Sequence, residues 1–209
     1  VKRIAVLASG NGTDCEAVLE AVEKGRIVDA VVAVVIADRP AGVLERACRH
    51  GVMALLIDRY GLERESFDAT LRAALVQFHV DIVVLAGYLS ILDKDTVRAW
   101  HNHIINVHPS LIPAFCGHGF YGERVHQAVL DAGVKVTGVT VHFVDEGTDT
   151  GPIILQEPVA VLDDDDAASL AARVLDVEHR LLPQAVALYC SGQLSVRGRK
   201  VYIDKEERI

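Results

Sequence analysis

The chain has few cysteines, no cluster of Lys and Arg, and no long apolar run, and each lack removes a class of protein. Four cysteines, at 15, 48, 116 and 190, form no C-x-x-C pair, and 209 residues can bury a full core without staples. Reduced, mostly buried thiols are expected. A net charge of -8 without a basic patch argues against nucleic acid as a partner, because phosphate neutralisation dominates such binding. Any anionic ligand then has to be held locally, by backbone amides or a few side chains. The run Ile4 to Ala8 is too short for a signal peptide or a membrane span, so a cytoplasmic protein with no membrane partner is expected. There is no repeat, low-complexity stretch or dividing linker, which predicts one domain over residues 1–209.

What is present is an α/β pattern. Apolar, β-branched runs recur at Ile4 to Ala8, Ala30 to Ile36, Ala54 to Ile57, Ile82 to Ala86 and Ile104 to Val107. Helical spacing lies between the first four, at Cys15 to Lys24, Val43 to His50 and Glu65 to Phe78, with Gly51 as a helix stop. This alternation predicts a mainly parallel sheet covered by helices on both faces. After His108 come a turn-rich loop from Pro109 to Gly122, a helix near Arg124 to Ala132, and strands Val136 to Val144 and Pro152 to Val161 pairing antiparallel. Asp163 to Asp166 favour the start of a long helix reaching Cys190, which Pro183 should kink or interrupt by freeing the carbonyl of His179.

The most informative stretch is Ile104 to Pro113. Asn106 and His108 stand two apart on a strand and so share a face. Pro109 cannot donate to a ladder and ends the strand there, leaving an amide and an imidazole at its carboxyl end, where α/β sheets bind ligands. Between the first strand and first helix, Ser9-Gly10-Asn11-Gly12-Thr13 permits a tight turn whose amides converge on a helix start, a geometry that attracts phosphate. No Lys follows, which removes a Walker loop, and Cys15 stands in the place of a third dinucleotide glycine. Asp38, ending the second strand, keeps a nicotinamide-dependent oxidoreductase open as a rival.

The turn Asp145-Glu146-Gly147-Thr148-Asp149 brings three carboxylates after a strand, and one beside His108 would orient the imidazole and raise its pKa. Sequence distance does not decide which. Nine histidines invite a metal reading, but His101 and His103 fall opposite His108 in strand phase and no H-E-x-x-H helix is present. His50, His79, His126 and His179 sit singly on helical segments and are expected at the surface or as satisfied structural groups. Cys116 lies in the loop near His108, and a nucleophilic role would need a base within reach.

Ser9 to Thr13, Ala86-Gly87-Tyr88-Leu89, Asn106-Val107-His108-Pro109-Ser110-Leu111 and Val141-His142-Phe143-Val144 occur in an order and spacing that resembles the phosphoribosylglycinamide formyltransferase family of purine synthesis. The resemblance implies a formyltransferase fold: a Rossmann-like nucleotide-binding half, 1–108, and a half completing the folate pocket, 109–209. It implies Asn106, His108 and Asp149 as the catalytic group and 10-formyltetrahydrofolate as co-substrate, with no metal. Glycinamide ribonucleotide would meet Gly12, Thr13, Asp14, Leu175, Asp176, Val177 and Glu178. Formyl-folate would meet Arg64, Leu89, Ser90, Ile91, Leu92, Asn106 and the turn Asp145, Glu146, Gly147, Thr148 and Asp149. The partners implied are these small molecules, in a monomer or homodimer. Formyltetrahydrofolate hydrolase and methionyl-tRNA formyltransferase are disfavoured by length, since each adds a further domain. Asp14 stands where related sequences commonly have Asn, tolerable beside a phosphate if its side chain turns away. Ser90 stands where some have Arg, and the 114–122 loop, with three glycines, looks longer and is expected to act as a flap.

Overall fold

A computed structural model describes residues 1–204. Five strands run parallel: β1 (Lys2–Ala8), β2 (Ala30–Ala37), β3 (Ala54–Leu56), β4 (Ile82–Leu85) and β5 (Ile104–His108). They are separated by α1 (Thr13–Glu23), α2 (Val43–Arg49), α3 (Arg64–Gln77) and α4 (Lys94–Ala99). Beyond them come α5 (Glu123–Asp131), β6 (Val136–Phe143), β7 (Ile153–Ala160), α6 (Ala167–Cys190), β8 (Leu194–Arg197) and β9 (Lys200–Ile203). The described residues form one sheet in the order β3-β2-β1-β4-β5-β6-β7-β9-β8, with β6 antiparallel to both β5 and β7. This is the expected mainly parallel sheet with an antiparallel extension.

Strand parity divides the core in two. Ile4, Val6 and Ala8 face α1 and α6 with Val18, Leu19, Val174 and Leu182, whereas Ala5 and Leu7 face α3 with Phe67, Leu71 and Leu75. Burial on both faces is why these strands read as unbroken apolar runs rather than alternating ones. Ile104 belongs to the α3 side and Ile105 to the α1 and α6 side, so Asn106 and His108, in phase with Ile104, share its face. The chain leaves β1 toward β2 and β3, then crosses back to β4. That switch opens a crevice at the carboxyl ends of β1 and β4, where Ser9 donates its amide to Gly87 O at 3.1 Å and its hydroxyl accepts the Leu89 amide at 2.8 Å.

Three elements depart from expectation. α4 was not foreseen; six residues are too few to show a helical period, and the helix is started by Asp93, whose side chain accepts the Thr96 amide. The β8–β9 hairpin was also missed, because four-residue strands joined through Gly198 at φ +61 carry little alternation. Pro183 does not interrupt α6, since Val174, Leu181, Leu182 and Val186 on either side of it pack into the core and hold the helix across the missing hydrogen bond. The start of α6 is a capping box between Asp166 and Ser169, as the acidic run suggested. The thiols are less hidden than expected: Cys15 is buried, Cys116 and Cys190 are half-buried, and Cys48 is exposed on the outer side of α2, all four free. No helix among the described residues is long and apolar enough to cross a membrane.

His50 is a satisfied structural group, as expected, and it ties α2 to α1. Its Nε2 lies 2.9 Å from Glu16 and its Nδ1 2.6 Å from Glu23, and these two carboxylates raise its pKa. A raised folded-state value adds stability below the ordinary imidazole range that is lost as pH climbs through the folded-state value. His50→Gln is therefore expected to lower stability by roughly 0.5 to 1 kcal/mol near pH 6 and by less near pH 9. Denaturant unfolding of both proteins at the two pH values measures this, and an equal loss at both would refute it.

Candidate active site

The antiparallel pairing of β5 with β6 sets the site, because its register puts Asn106 opposite His142 and His108 opposite Thr140. Asn106 Nδ2 lies 3.2 Å from His142 Nε2, and His142 Nδ1 lies 2.8 Å from the Phe143 carbonyl. A carbonyl only accepts, so Nδ1 of His142 carries the proton and the bare Nε2 accepts from Asn106. The tether leaves the second Nδ2–H of Asn106 free to donate. Thr140 supports the next layer: its hydroxyl donates to Ser110 O at 2.7 Å and accepts the Ile112 amide at 3.1 Å.

Of the three acids in the turn, only Asp149 turns inward. Its Oδ2 is 3.7 Å from His108 Nδ1 and its Oδ1 is 3.7 Å from His142 Nε2, electrostatic contacts rather than hydrogen bonds. The Gly117 amide donates to Asp149 Oδ2 at 2.8 Å. Asp145 instead holds the turn together, accepting from the Gly147 amide at 3.0 Å and the Thr150 hydroxyl at 2.5 Å. Glu146 pins it to α4, 2.8 Å from Arg98 and 3.5 Å from Lys94. Asp149 itself has φ +56, and Gly151 packs so closely on the Phe143 carbonyl that a side chain there would collide with it.

His108 is 5% exposed, and its Nε2 donates to the Phe115 carbonyl at 2.9 Å. Burial lowers its pKa, outweighing the Phe115 carbonyl and Asp149, which raise it, while His142 adds to the lowering. The upward shift expected from a neighbouring carboxylate is thus reversed by desolvation. For Asp149, burial works to raise the carboxyl, but His142, His108 and the Gly117 amide together hold it below the usual carboxylate range. The 114–122 loop meets both groups, with Phe115 at φ +49 and Gly117 at φ +90. Cys116 donates to Pro113 O at 3.4 Å and its pKa is raised by burial and Asp149, the reverse of an activated nucleophile.

Around this centre the other expected residues fall into two groups. In the first loop, Gly12 caps α1 at φ +74 with its Cα against Val43, where a side chain would collide, and Thr13 and Asp14 open the helix. Leu175 and Val177 of α6 are half-buried, Asp176 is exposed, and Glu178 is buried. Glu178 and Asp14 act on each other electrostatically. The Asp14 carboxylate faces His179, whose Nε2 is 3.7 Å from its Oδ1. In the second group, Arg64 pairs with Asp68 at 2.6 Å and donates to Ile91 O at 2.6 Å, anchoring the 89–92 segment. Leu89 and Ile91 are exposed there, and Leu92 packs on the α3 side of the core.

Ser90 donates to Asp38 at 2.6 Å, and Arg39 donates to both Asp38 oxygens at 2.9 Å. Asp38 is fully buried with each oxygen engaged, which leaves nothing to bind a ribose and removes the support for a nicotinamide site. No group of three or more His, Cys, Asp or Glu among the described residues is arranged to hold a metal ion. Two histidines expected at the surface or satisfied are neither: His126 is 5% exposed with an unpartnered Nδ1, and His179 has an unpartnered, buried Nε2. Both lie on the inner faces of α5 and α6, where helix packing, invisible to single-residue reading, decides burial. His142, Phe115 and Gly117 were also missed as site residues. For His142 the signals were the Val141-His142-Phe143-Val144 motif and the pairing of its strand, and the backbone contacts of the other two carry none.

Residues 2–186 match the family described as formyl transferase. The chain is 46% identical to a solved structure, glycinamide ribonucleotide transformylase 1 from Symbiobacterium toebii, covering 98% of this chain and 95% of that one with a TM-score of 0.92. It is 39% identical over 194 residues to the chloroplastic phosphoribosylglycinamide formyltransferase of Vigna unguiculata, covering 92% of this chain and 62% of that protein. It is 41% identical over 198 residues to the trifunctional purine biosynthetic protein adenosine-3 of Gallus gallus, covering 93% of this chain and 19% of that protein. The chain therefore spans less than two thirds of these two curated relatives. The match runs through every strand that builds the Asn106, His108 and Asp149 cluster, and with it the chain belongs to the formyl transferase family.

Proposed function

We propose that this chain transfers the formyl group of 10-formyltetrahydrofolate to the amine of 5-phosphoribosylglycinamide, giving N-formyl-phosphoribosylglycinamide and tetrahydrofolate in purine synthesis. The observation that carries this is the half-buried Asp149 carboxylate between His108 and His142, beside an Asn106 amide with one N–H to spare. When the amine attacks the formyl carbon, its oxygen becomes anionic, and the free Asn106 N–H and the His108 Nε2–H are donors already fixed in place. The Phe115 carbonyl holds that His108 proton in the present arrangement, so it stands where the formyl oxygen would accept. Substrate binding exchanges one acceptor for the other.

Burial favours neutral His108 at rest, and Asp149 favours its cation once negative charge develops beside it. The proton lost by the attacking nitrogen passes to the departing folate nitrogen, with His108 as its carrier and the C–N bond to folate breaking as the carbonyl re-forms. Asn106 is oriented by His142, which makes His142 a positioning residue. The first loop, with Gly12, Thr13 and Asp14 at the start of α1, holds the nucleotide phosphate and aims its amine. The exposed Leu89 and Ile91 and the turn 145–149 flank the folate side.

His108→Asn and Asp149→Asn are each expected to lower kcat by roughly 10²- to 10³-fold with a smaller change in nucleotide KM. Near wild-type turnover in either would refute the assignment. His142→Phe, which releases Asn106, should reduce kcat about tenfold or more through loss of one oriented donor, and unchanged kcat would remove His142 from the machinery. Folate product, followed by absorbance, should appear only when glycinamide ribonucleotide is present. Equal turnover without the amine would show a hydrolase instead.

A further inference from the structure

At the start of α1 and on the facing stretch of α6 lies a second cluster of ionisable groups, whose protonation the formyl-transfer reading leaves without a role. Asp14, the second residue of α1, has an Oδ1 that is fully buried and without a hydrogen bond, and His179 Nε2 of α6 is in the same state 3.7 Å away. Two orphaned atoms, one an acceptor and the other able to carry a proton, face each other at a separation one small side-chain movement short of a charge-assisted hydrogen bond. Glu178, next to His179 on α6, is 8% exposed and makes no hydrogen bond among the described residues. The other charges nearby are engaged elsewhere: Arg46 of α2 and His50 at its end meet Glu16, two residues beyond Asp14, and His50 also meets Glu23.

Burial pushes the Asp14 carboxyl up to about 6 despite His179, and it raises Glu178 well above its ordinary range with Asp14 adding to the effect. Asp14 belongs to the first turn of the helix whose leading amides would hold a doubly charged phosphate, and Glu178 acts on it electrostatically, so a like-charge conflict is built into the site unless a proton resolves it. We propose that Asp14, His179 and Glu178 make anion capture at the first loop a proton-taking step, in which the phosphate dianion binds together with a proton on this cluster. The proposal rests on the phosphate role given to the loop above and adds a determinant that an Asn at position 14 would lack, since an amide cannot take up the proton.

The sign follows from linkage. A bound dianion favours the protonated cluster, so the complex holds more protons than the free protein and affinity falls as pH rises above the Asp14 range. The phosphate's own second ionisation, near pH 6 for the ribonucleotide ester and about one unit higher for inorganic phosphate, works in the opposite direction and is common to all variants. Isothermal titration of inorganic phosphate, and then of glycinamide ribonucleotide, between about pH 6.5 and 8.5 in buffers of different ionisation enthalpy measures both affinity and proton uptake. For the unaltered chain, Kd should rise by up to about tenfold per pH unit with net proton uptake. Asp14→Asn should flatten the slope, abolish most of the uptake and bind more tightly at the alkaline end. His179→Gln, which keeps both acids and removes the base, should weaken binding most at the acidic end and converge with the unaltered chain at the alkaline end.

Equal slopes in the unaltered chain and Asp14→Asn, weakening by His179→Gln to the same degree at every pH, or no phosphate binding at all would overturn the proposal. Phosphate that binds with the expected slope but is not displaced by glycinamide ribonucleotide would leave the proposal standing and sink the formyl-transfer reading instead.

Discussion

A carboxylate largely taken out of water is expensive to keep charged, and Asp149 meets that cost through the Gly117 amide, which donates to it at 2.8 Å, while ring nitrogens of His108 and His142 stand 3.7 Å from its two oxygens. Each neighbour comes from a different part of the chain, β5, β6 and the loop before α5, so the carboxylate joins them. The turn that delivers it is correspondingly stiff. Asp145 closes it internally, Glu146 fastens it to α4, and Gly151 lets the chain pass against the Phe143 carbonyl. The other two acids of the turn thus serve the placement of the third.

The sheet supplies the rest of the constraint. Reversal of strand direction after β5 brings β6 alongside it, and register then sets His142 against Asn106. On the other side, the crossover from β1 to β4 opens the crevice where Ser9 links the first loop to the 87–89 segment. The nucleotide loop and the imidazole cluster are therefore edges of one continuous sheet end. Under the proposed function, that arrangement would convert binding of a remote phosphate into orientation of an amine without a moving domain.

Features set by local pattern were legible in the sequence. The buried parallel strands show as β-branched runs, Asn106 and His108 show as a same-face pair ended by Pro109, and Gly12 shows as a turn glycine. Features set by tertiary packing were not. The sequence alone does not single out Asp149 from Asp145 or Glu146; Asp145 is taken up by Gly147 and Thr150 within the turn, while Glu146 and Asp149 are sorted by Arg98, Lys94 and Gly117, each distant in sequence. His142 gains its physical role through strand register, and His126 and the Nε2 atom of His179 are buried by the way α5 and α6 pack. The direction of the His108 shift was misread for a related reason: a carboxylate neighbour is visible in sequence as a possibility, whereas the depth of burial that outweighs it is not. Short elements such as α4 and the β8–β9 hairpin lie below the length at which periodicity speaks.

If Asp149 acts through the two imidazoles and not as an independent charge, then His108 and Asp149 form one unit. A double-mutant cycle on formyl-transfer kcat, comparing His108→Asn, Asp149→Asn and the pair, tests this most directly. The account predicts strong non-additivity, with the double variant about as slow as the slower single one. Losses that multiply as for independent sites would contradict it.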